Sequence, residues 1–286
     1  MKEYKLAIAN IKLLIRLSSN FDLSYECKCF SSSFKTSDYI INVYNCKKFN
    51  DSFFINDEIY KDDKNYIKVF SKGNHYFKIK YDINFKEILW ILKFNKGNNI
   101  YNLFINNKNL LFLNIFDYLE ISEFFSKNNA LLLHSSAIEY NDFCVVFTAP
   151  SGVGKSTQAS LWKKYLNSPI MNGDKTIISC ENTKFIAYGS PIAGTSHIFE
   201  KRFAPISIIV ILKQAKVNNL YLVNSKQALM NILSQVSMCE WDKNIIDKQL
   251  SLISNLISNI PVYCLECLPD SSAVYMLKNE IDKLIS

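Results

Sequence analysis

No stretch of the chain reaches the roughly 18 consecutive apolar residues that a membrane-spanning helix requires, so no helical span is expected. Arginine is nearly missing as well. Of the 33 basic residues only Arg16 and Arg202 are arginines, and the lysines are scattered among asparagines and isoleucines. A nucleic-acid binder gathers its basic residues on one face with arginine prominent, so the net charge of +7 reads as a compositional bias, with no nucleic-acid partner. Zinc-site spacing is absent: the one CxxC, Cys264-Leu-Glu-Cys267, has no second CxxC or histidine pair to complete it. It lies in the apolar run Val262–Leu268, where a strand points positions i and i+3 to opposite faces, so the pair reads as structural. Met1–Arg16 carries lysines and a glutamate and lacks a signal-peptide layout. These absences together lead to the expectation of a cytoplasmic protein with reduced thiols.

What is present is apolar surface in quantity. Hydrophobic residues make up 49% of the 286, which excludes wholesale disorder and allows one large domain or two ordinary ones. The first 108 residues or so read as short strands at Tyr4–Ile8, Ile11–Leu17, Tyr39–Tyr44, Tyr66–Phe70, His75–Ile79 and Ile100–Ile105, separated by clusters such as Asn50-Asp51 and Lys96-Gly97-Asn98-Asn99. A helical stretch is predicted over Leu110–Phe125 and a domain boundary near 128, giving a β-rich domain of residues 1–128 followed by 129–286. In the second part the signals alternate between strand and helix, so the fold class is mixed α/β. Leu131–Ile138 and Phe143–Thr148, joined by Glu139-Tyr-Asn-Asp142, have the layout of a hairpin. Helices are predicted over Ser156–Leu166, from a cap at Ser225, over Lys243–Ser258 with Ile246, Leu250, Ile253 and Ile257 on one face, and from a cap at Asp270 with Val274, Leu277, Ile281 and Leu284 inside.

The strongest chemical signal follows the hairpin. Ala149-Pro-Ser-Gly-Val-Gly-Lys-Ser-Thr157 fits the phosphate-cradling pattern G-x-x-x-x-G-K-[ST], with alanine in the first glycine's place. A strand leads into it and a helix leaves it. That context predicts a nucleotide site formed by Ser151, Gly152, Val153, Gly154, Lys155, Ser156 and Thr157. Gly152 and Gly154 would turn backbone N–H groups onto phosphate oxygens, Lys155 would reach the β- and γ-phosphates, and the Ser156 hydroxyl would ligate Mg²⁺. The nucleotide is most simply ATP. The apolar strand Ile206–Leu212 ends in Lys213-Gln214 and offers no carboxylate for the metal. Asp174 is the better acid, standing in Asn172-Gly-Asp174 after a short strand, Ile170–Asn172, expected beside the loop's own strand. An acid there can ligate the metal or accept a hydroxyl proton. Arg202, the one arginine of the second part, reads either as a phosphate contact or as part of a solvated cluster.

Taken together, Leu132-Leu-His-Ser-Ser-Ala-Ile138, the hairpin, the loop, Asn172-Gly-Asp174, Tyr188-Gly-Ser-Pro-Ile-Ala-Gly194 and Ala204-Pro205 resemble the catalytic domain of HPr kinase/phosphorylase. They resemble its stand-alone serine-kinase-like relatives more closely still. The resemblance runs from about Leu131 to Ser286. It implies a nucleotide-binding core akin to that of PEP carboxykinase, with Lys155 gripping phosphates, Ser156 and Asp174 at the metal, and His134 in the active site. The bifunctional enzymes carry paired aspartates where this chain has Gly173-Asp174. Some stand-alone relatives are tied to the maturation of ribosomally made peptides. The reading is an ATP-dependent kinase acting on a hydroxyl, a serine of a protein or precursor peptide, with oligomerisation left open. Its rivals are an accessory nucleotide-binding ATPase and a small-molecule kinase.

Overall fold

The computed structural model describes every residue except 19–20, 47–48, 50–56, 96, 107–109, 193 and 286. Two compact units divide the chain, Met1–Glu120 and Ile121–Ser286.

In the first unit the strands are β1 (Lys2–Ile8), β2 (Ile11–Leu17), β3 (Asp22–Leu23), β4 (Tyr39–Asn45), β5 (Asp57–Asp62), β6 (Ile67–Lys72), β7 (His75–Tyr81), β8 (Ile88–Asn95), β9 (Ile100–Ile105) and β10 (Phe112–Leu113), with a short α1 (Tyr25–Lys28). Eight of them form one sheet in the order β1-β2-β4-β9-β8-β7-β6-β5, while β10 pairs with β3. Strict alternation explains β2: Ile11, Leu13, Ile15 and Leu17 are buried, and the residues between them are not. Positive φ at Ala9 and Asn10 makes the tight turn from β1. β8 escaped sequence reading because Ile88-Leu-Trp-Ile-Leu92 is continuously apolar and carries no period. Asn50-Asp51, Lys96 and Ala193, each read as part of a turn cluster or motif, lie outside the described residues.

The second unit contains α2 (Ile121–Lys127), β11 (Ala130–Tyr140), β12 (Phe143–Thr148), α3 (Lys155–Leu166), β13 (Ile170–Asn172), β14 (Lys175–Glu181), β15 (Lys184–Tyr188), β16 (Phe203–Gln214), β17 (Asn219–Leu222), α4 (Ser225–Leu233), α5 (Lys243–Asn259), β18 (Val262–Cys267) and α6 (Ser271–Ile285). The two long strands each change partners along their length. β11 pairs with β14 over Ala130–His134 and with β12 over Ser135–Tyr140. β16 pairs with β15 at Phe203–Pro205, then runs parallel to both β12 and β18. Strands β12-β11-β14-β15-β16 therefore close on themselves through the β12–β16 pairing. Side chains alternate across this sheet. Val145, Phe147, Ile208 and Val210 meet α3 and α6 residues such as Trp162 and Leu277. Val146, Ile209 and Ile211 face Ile232 of α4 and Ile253 and Leu256 of α5.

Several helix expectations need correction. Over Leu110–Phe125 the chain forms β10, a 3₁₀ turn at Ile115–Asp117 capped by Asn114, and only then α2. An apolar run alone cannot separate strand from helix, and the Asn114 side chain, accepting from Phe116 N, fixes a turn there. α2 buries Phe124 and Phe125 and packs on β11 and α5, so the units divide after Glu120, eight residues before the expected 128. Asn224, one residue before Ser225, caps α4 by accepting from Gln227 N at 2.9 Å. On α5 the buried residues are Ile245, Gln249, Ile253 and Leu256, so only Ile253 of the expected set is fully buried, and Leu250 is exposed. Leu284 of α6 is likewise exposed, while Asp270 caps that helix through Ala273 N at 3.0 Å.

Candidate functional site

The loop between β12 and α3 is shaped by two glycines in the left-handed region, Gly152 at φ 81° and Gly154 at φ 121°, where any side chain would strain the backbone. Gly154 occupies the N-cap of α3 and no side chain caps the helix, so its first-turn N–H groups open toward the loop. From the end of β16, Gln214 Nε2 reaches the carbonyls of Gly152 (3.4 Å) and Val153 (3.3 Å) and steadies the loop from behind. Lys155 curls back: its Nζ donates to Ala149 O at 2.9 Å and to Pro150 O at 3.4 Å, and the residue is 7% exposed. Burial lowers its pKa from the ordinary lysine value, and the nearby Asp174 charge opposes that shift.

Asp174 is held in a turn with little freedom. The buried Asn172 accepts from Asp174 N (2.8 Å) and Lys175 N (2.7 Å) through Oδ1, and donates from Nδ2 to Ser190 O at 3.0 Å. Ser135 N donates to Asp174 O at 2.9 Å, and Ser136 Oγ to Gly173 O at 3.0 Å. β13 pairs with β11 and not with the loop's strand β12 as expected, so Asp174 comes to the loop across the middle of β11, at Ser135. His134 stands there, with Nε2 3.5 Å from Asp174 Oδ1 and Nδ1 3.1 Å from Gln235 Oε1. Both ring nitrogens thus face oxygen acceptors, and a neutral ring can donate to only one of them. The histidine, and behind it burial, Lys175 and Lys155, act on the Asp174 carboxyl, and the net effect holds it below the usual carboxylate range.

A cavity of about 360 Å³ brings these groups together, with His134, Lys155, Ser156, Thr157, Asp174 and Ser196 in its wall. Ser151, Gly152 and Gly154 line it as well, so of the expected site residues only Val153 is turned away, toward a second cavity on the loop's other side. Arg202 is not brought to the loop. It pairs with Glu139 at 3.2 Å, at the turn end of the β11–β12 hairpin opposite His134. His75 and His197 are exposed. β16, which flanks β12 in parallel, ends in Lys213-Gln214 and supplies no carboxylate. Gln235, Gln214 and Ser196 were not legible as site residues, since each lies outside any periodic or motif signal: only the fold brings Gln235 to His134, Gln214 to the loop and Ser196 to the cavity wall.

What the arrangement can do follows from its donors. Backbone N–H groups and a buried ammonium suit an anion, and a carboxylate beside hydroxyls suits a hard divalent cation that keeps some of its water. Neither a family model nor a curated protein matches this chain. The solved structure of the Hpr(Ser) kinase/phosphatase from Coxiella burnetii is similar over 54% of this chain and 99% of that chain, at 10% identity and a TM-score of 0.32, too loose a superposition to carry an argument. Among the described residues no helix is long and apolar enough to cross a membrane.

Proposed function

We propose that the chain is an ATP-dependent kinase that transfers the γ-phosphoryl group to a hydroxyl, a serine of a protein or peptide. One observation carries the reading: a single cavity is walled by the glycine loop's Lys155, Ser156 and Thr157 and by the His134–Asp174 pair. Holding a nucleotide requires only the first set. A carboxylate and an imidazole facing the same space are what transfer adds.

In this reading the backbone of residues 151–157 cradles the phosphates, and Lys155 exchanges its two carbonyl partners for β- and γ-phosphate oxygens. Ser156 Oγ and the Asp174 carboxylate are the protein oxygens available to Mg²⁺, and their chemistry fits that ion. When bound, the ion neutralises charge on the phosphate oxygens. Asp174, aligned by His134, orients the acceptor hydroxyl and takes up its proton. The new oxygen–phosphorus bond forms as the bond to the β-phosphate oxygen breaks, leaving ADP and a phosphorylated acceptor. The β-rich unit of residues 1–120 is assigned the binding of that protein or peptide acceptor.

The test pairs transfer with affinity. Asp174→Asn keeps size and loses charge, and should slow γ-phosphoryl transfer by on the order of 10²-fold or more while changing nucleotide affinity far less. His134→Ala should give a smaller loss of the same kind. Transfer by Asp174→Asn at the wild-type rate overturns the assignment. If the wild type binds ATP yet phosphorylates no candidate peptide or protein, the chain is a nucleotide-binding regulator instead.

A further inference from the structure

The turn after α4 is bound to β11 on both sides of His134. The His134 backbone N donates to Gln235 O at 2.9 Å, and Ser237 N donates to Leu132 O at 2.9 Å. The Gln235 side chain then reaches the ring itself, with Oε1 3.1 Å from Nδ1. The protons along that contact decide which ring nitrogen carries one. The Asn231 carbonyl can only accept, and it takes the single hydroxyl proton of Ser234 at 2.8 Å. Ser234 Oγ is left to accept, and Gln235 Nε2 donates to it at 3.1 Å. The amide is thereby oriented with its oxygen toward the histidine, and an oxygen facing Nδ1 calls for an N–H there. On the other side Nε2 and Asp174 Oδ1 stand 3.5 Å apart, beyond the roughly 2.7–3.2 Å of a made hydrogen bond. Two acceptors with no proton between them keep such a distance.

We propose that Gln235 is a positioning residue that fixes neutral His134 in the Nδ1–H tautomer and turns the Nε2 lone pair toward the cavity beside Asp174. The inference rests on the kinase reading above and adds a residue to it. A ring with its proton on Nε2 would fill an Asp174 lone pair itself and would attract a phosphate oxygen. With the lone pair there instead, Oδ1 and Nε2 are two acceptors aimed at one space, which suits a hydroxyl and repels a phosphate oxygen. The acceptor's O–H bond breaks as its oxygen meets the γ-phosphorus. Its proton goes to Asp174 Oδ1, which can then donate a hydrogen bond to Nε2. Gln235 acts only through the ring.

Nitrogen-15 chemical shifts of the imidazole distinguish the two tautomers, and the chain has only three histidines. His75→Gln and His197→Gln, both at exposed positions, assign the signals by loss. At about pH 9, well above the ordinary histidine value of about 6.5, His134 of the full chain should carry its proton on Nδ1. Gln235→Met, similar in length and without the acceptor, should move that proton to Nε2, where Asp174 accepts it. Gln235→Glu restores an acceptor and should return the proton to Nδ1. Phosphoryl transfer should follow the tautomer. In Gln235→Met kcat should fall about tenfold, the scale of one hydrogen bond, with the KM for ATP unchanged. Gln235→Glu should recover most of that loss. A wild-type ring protonated on Nε2, or a Gln235→Met ring that keeps its proton on Nδ1, would overturn the proposal, as would equal transfer by all three proteins. Tautomers as expected, with no transfer to any acceptor, would leave the setting of the ring standing and bring down the kinase reading.

Discussion

At Lys155 burial works against charge. The ammonium is 7% exposed and held by two backbone carbonyls, with its pKa below the ordinary lysine value. A lysine whose pKa is lower folded than unfolded binds its proton more weakly in the native state. It therefore costs stability wherever it is charged in both states, and that cost disappears as pH rises past the unfolded lysine value. Lys155→Met removes the charge and keeps the apolar stem. Free of nucleotide, the variant should melt at a higher temperature than the wild type at pH 7, with the gap narrowing toward pH 10, while ATP affinity falls on the order of 10²-fold from two charge-assisted bonds. Scanning calorimetry across pH, run beside an affinity titration, checks both. A lower melting temperature for the variant at pH 7 would show that Lys155 stabilises the empty loop. Asp174 has the opposite character. Its lowered pKa means the carboxylate favours the folded state above the usual carboxylate range, a contribution lost as pH falls through the native value.

Among the elements, the short 3₁₀ turn Gly194–Ser196 sets the position of Asp174 by steric fit. Gly194 has φ 52°, and a Cβ added there would stand 2.5 Å from Asp174 Cγ. Gly194→Ala should therefore push the carboxylate off its place beside His134 as well as strain the turn. Phosphoryl transfer should drop on the order of tenfold or more, with ATP affinity nearly intact, because Lys155 and the loop glycines lie on other elements. Transfer rate and affinity measured together decide it: an equal loss of both would mean the whole loop had shifted. Gly189 is constrained by backbone instead of by the site. Its added Cβ would meet Glu200 O at 1.9 Å, so Gly189→Ala should damage folding rather than chemistry. The long strands β11 and β16 matter at this scale too. Because each passes from one set of partners to another, His134 sits where β11 leaves β14 for β12, and Gln214 sits where β16 runs out beside the loop.

For the whole molecule, α2 decides where an independent nucleotide-binding fragment can begin. Phe124 and Phe125 are buried, and their helix packs on β11 and α5 within the second unit. A fragment of residues 121–286 should melt cooperatively and bind ATP. One of residues 129–286 should lose several kcal/mol, as two buried phenylalanines are removed, and its melting curve should broaden or fall by more than about 10 °C. Equal stability of the two fragments would show that α2 is dispensable. The sequence by itself determined the hairpin, the glycine loop and the helix after it, because each rests on local chemistry: turn residues, positive φ, apolar period and the small spacing between them. It also disclosed the α/β character of the second part. What it could not disclose was the helix face of α5, the end of the first unit, or the hydrogen bonds by which Asn172 and Ser135 hold the Asp174 turn and Gln235 holds His134. Gln235 lies 101 positions from His134 and meets it only because the turn after α4 comes back against β11. Contacts so distant along the chain leave no period or spacing to read, so only the closing of the sheet and the packing of its helices could fix them.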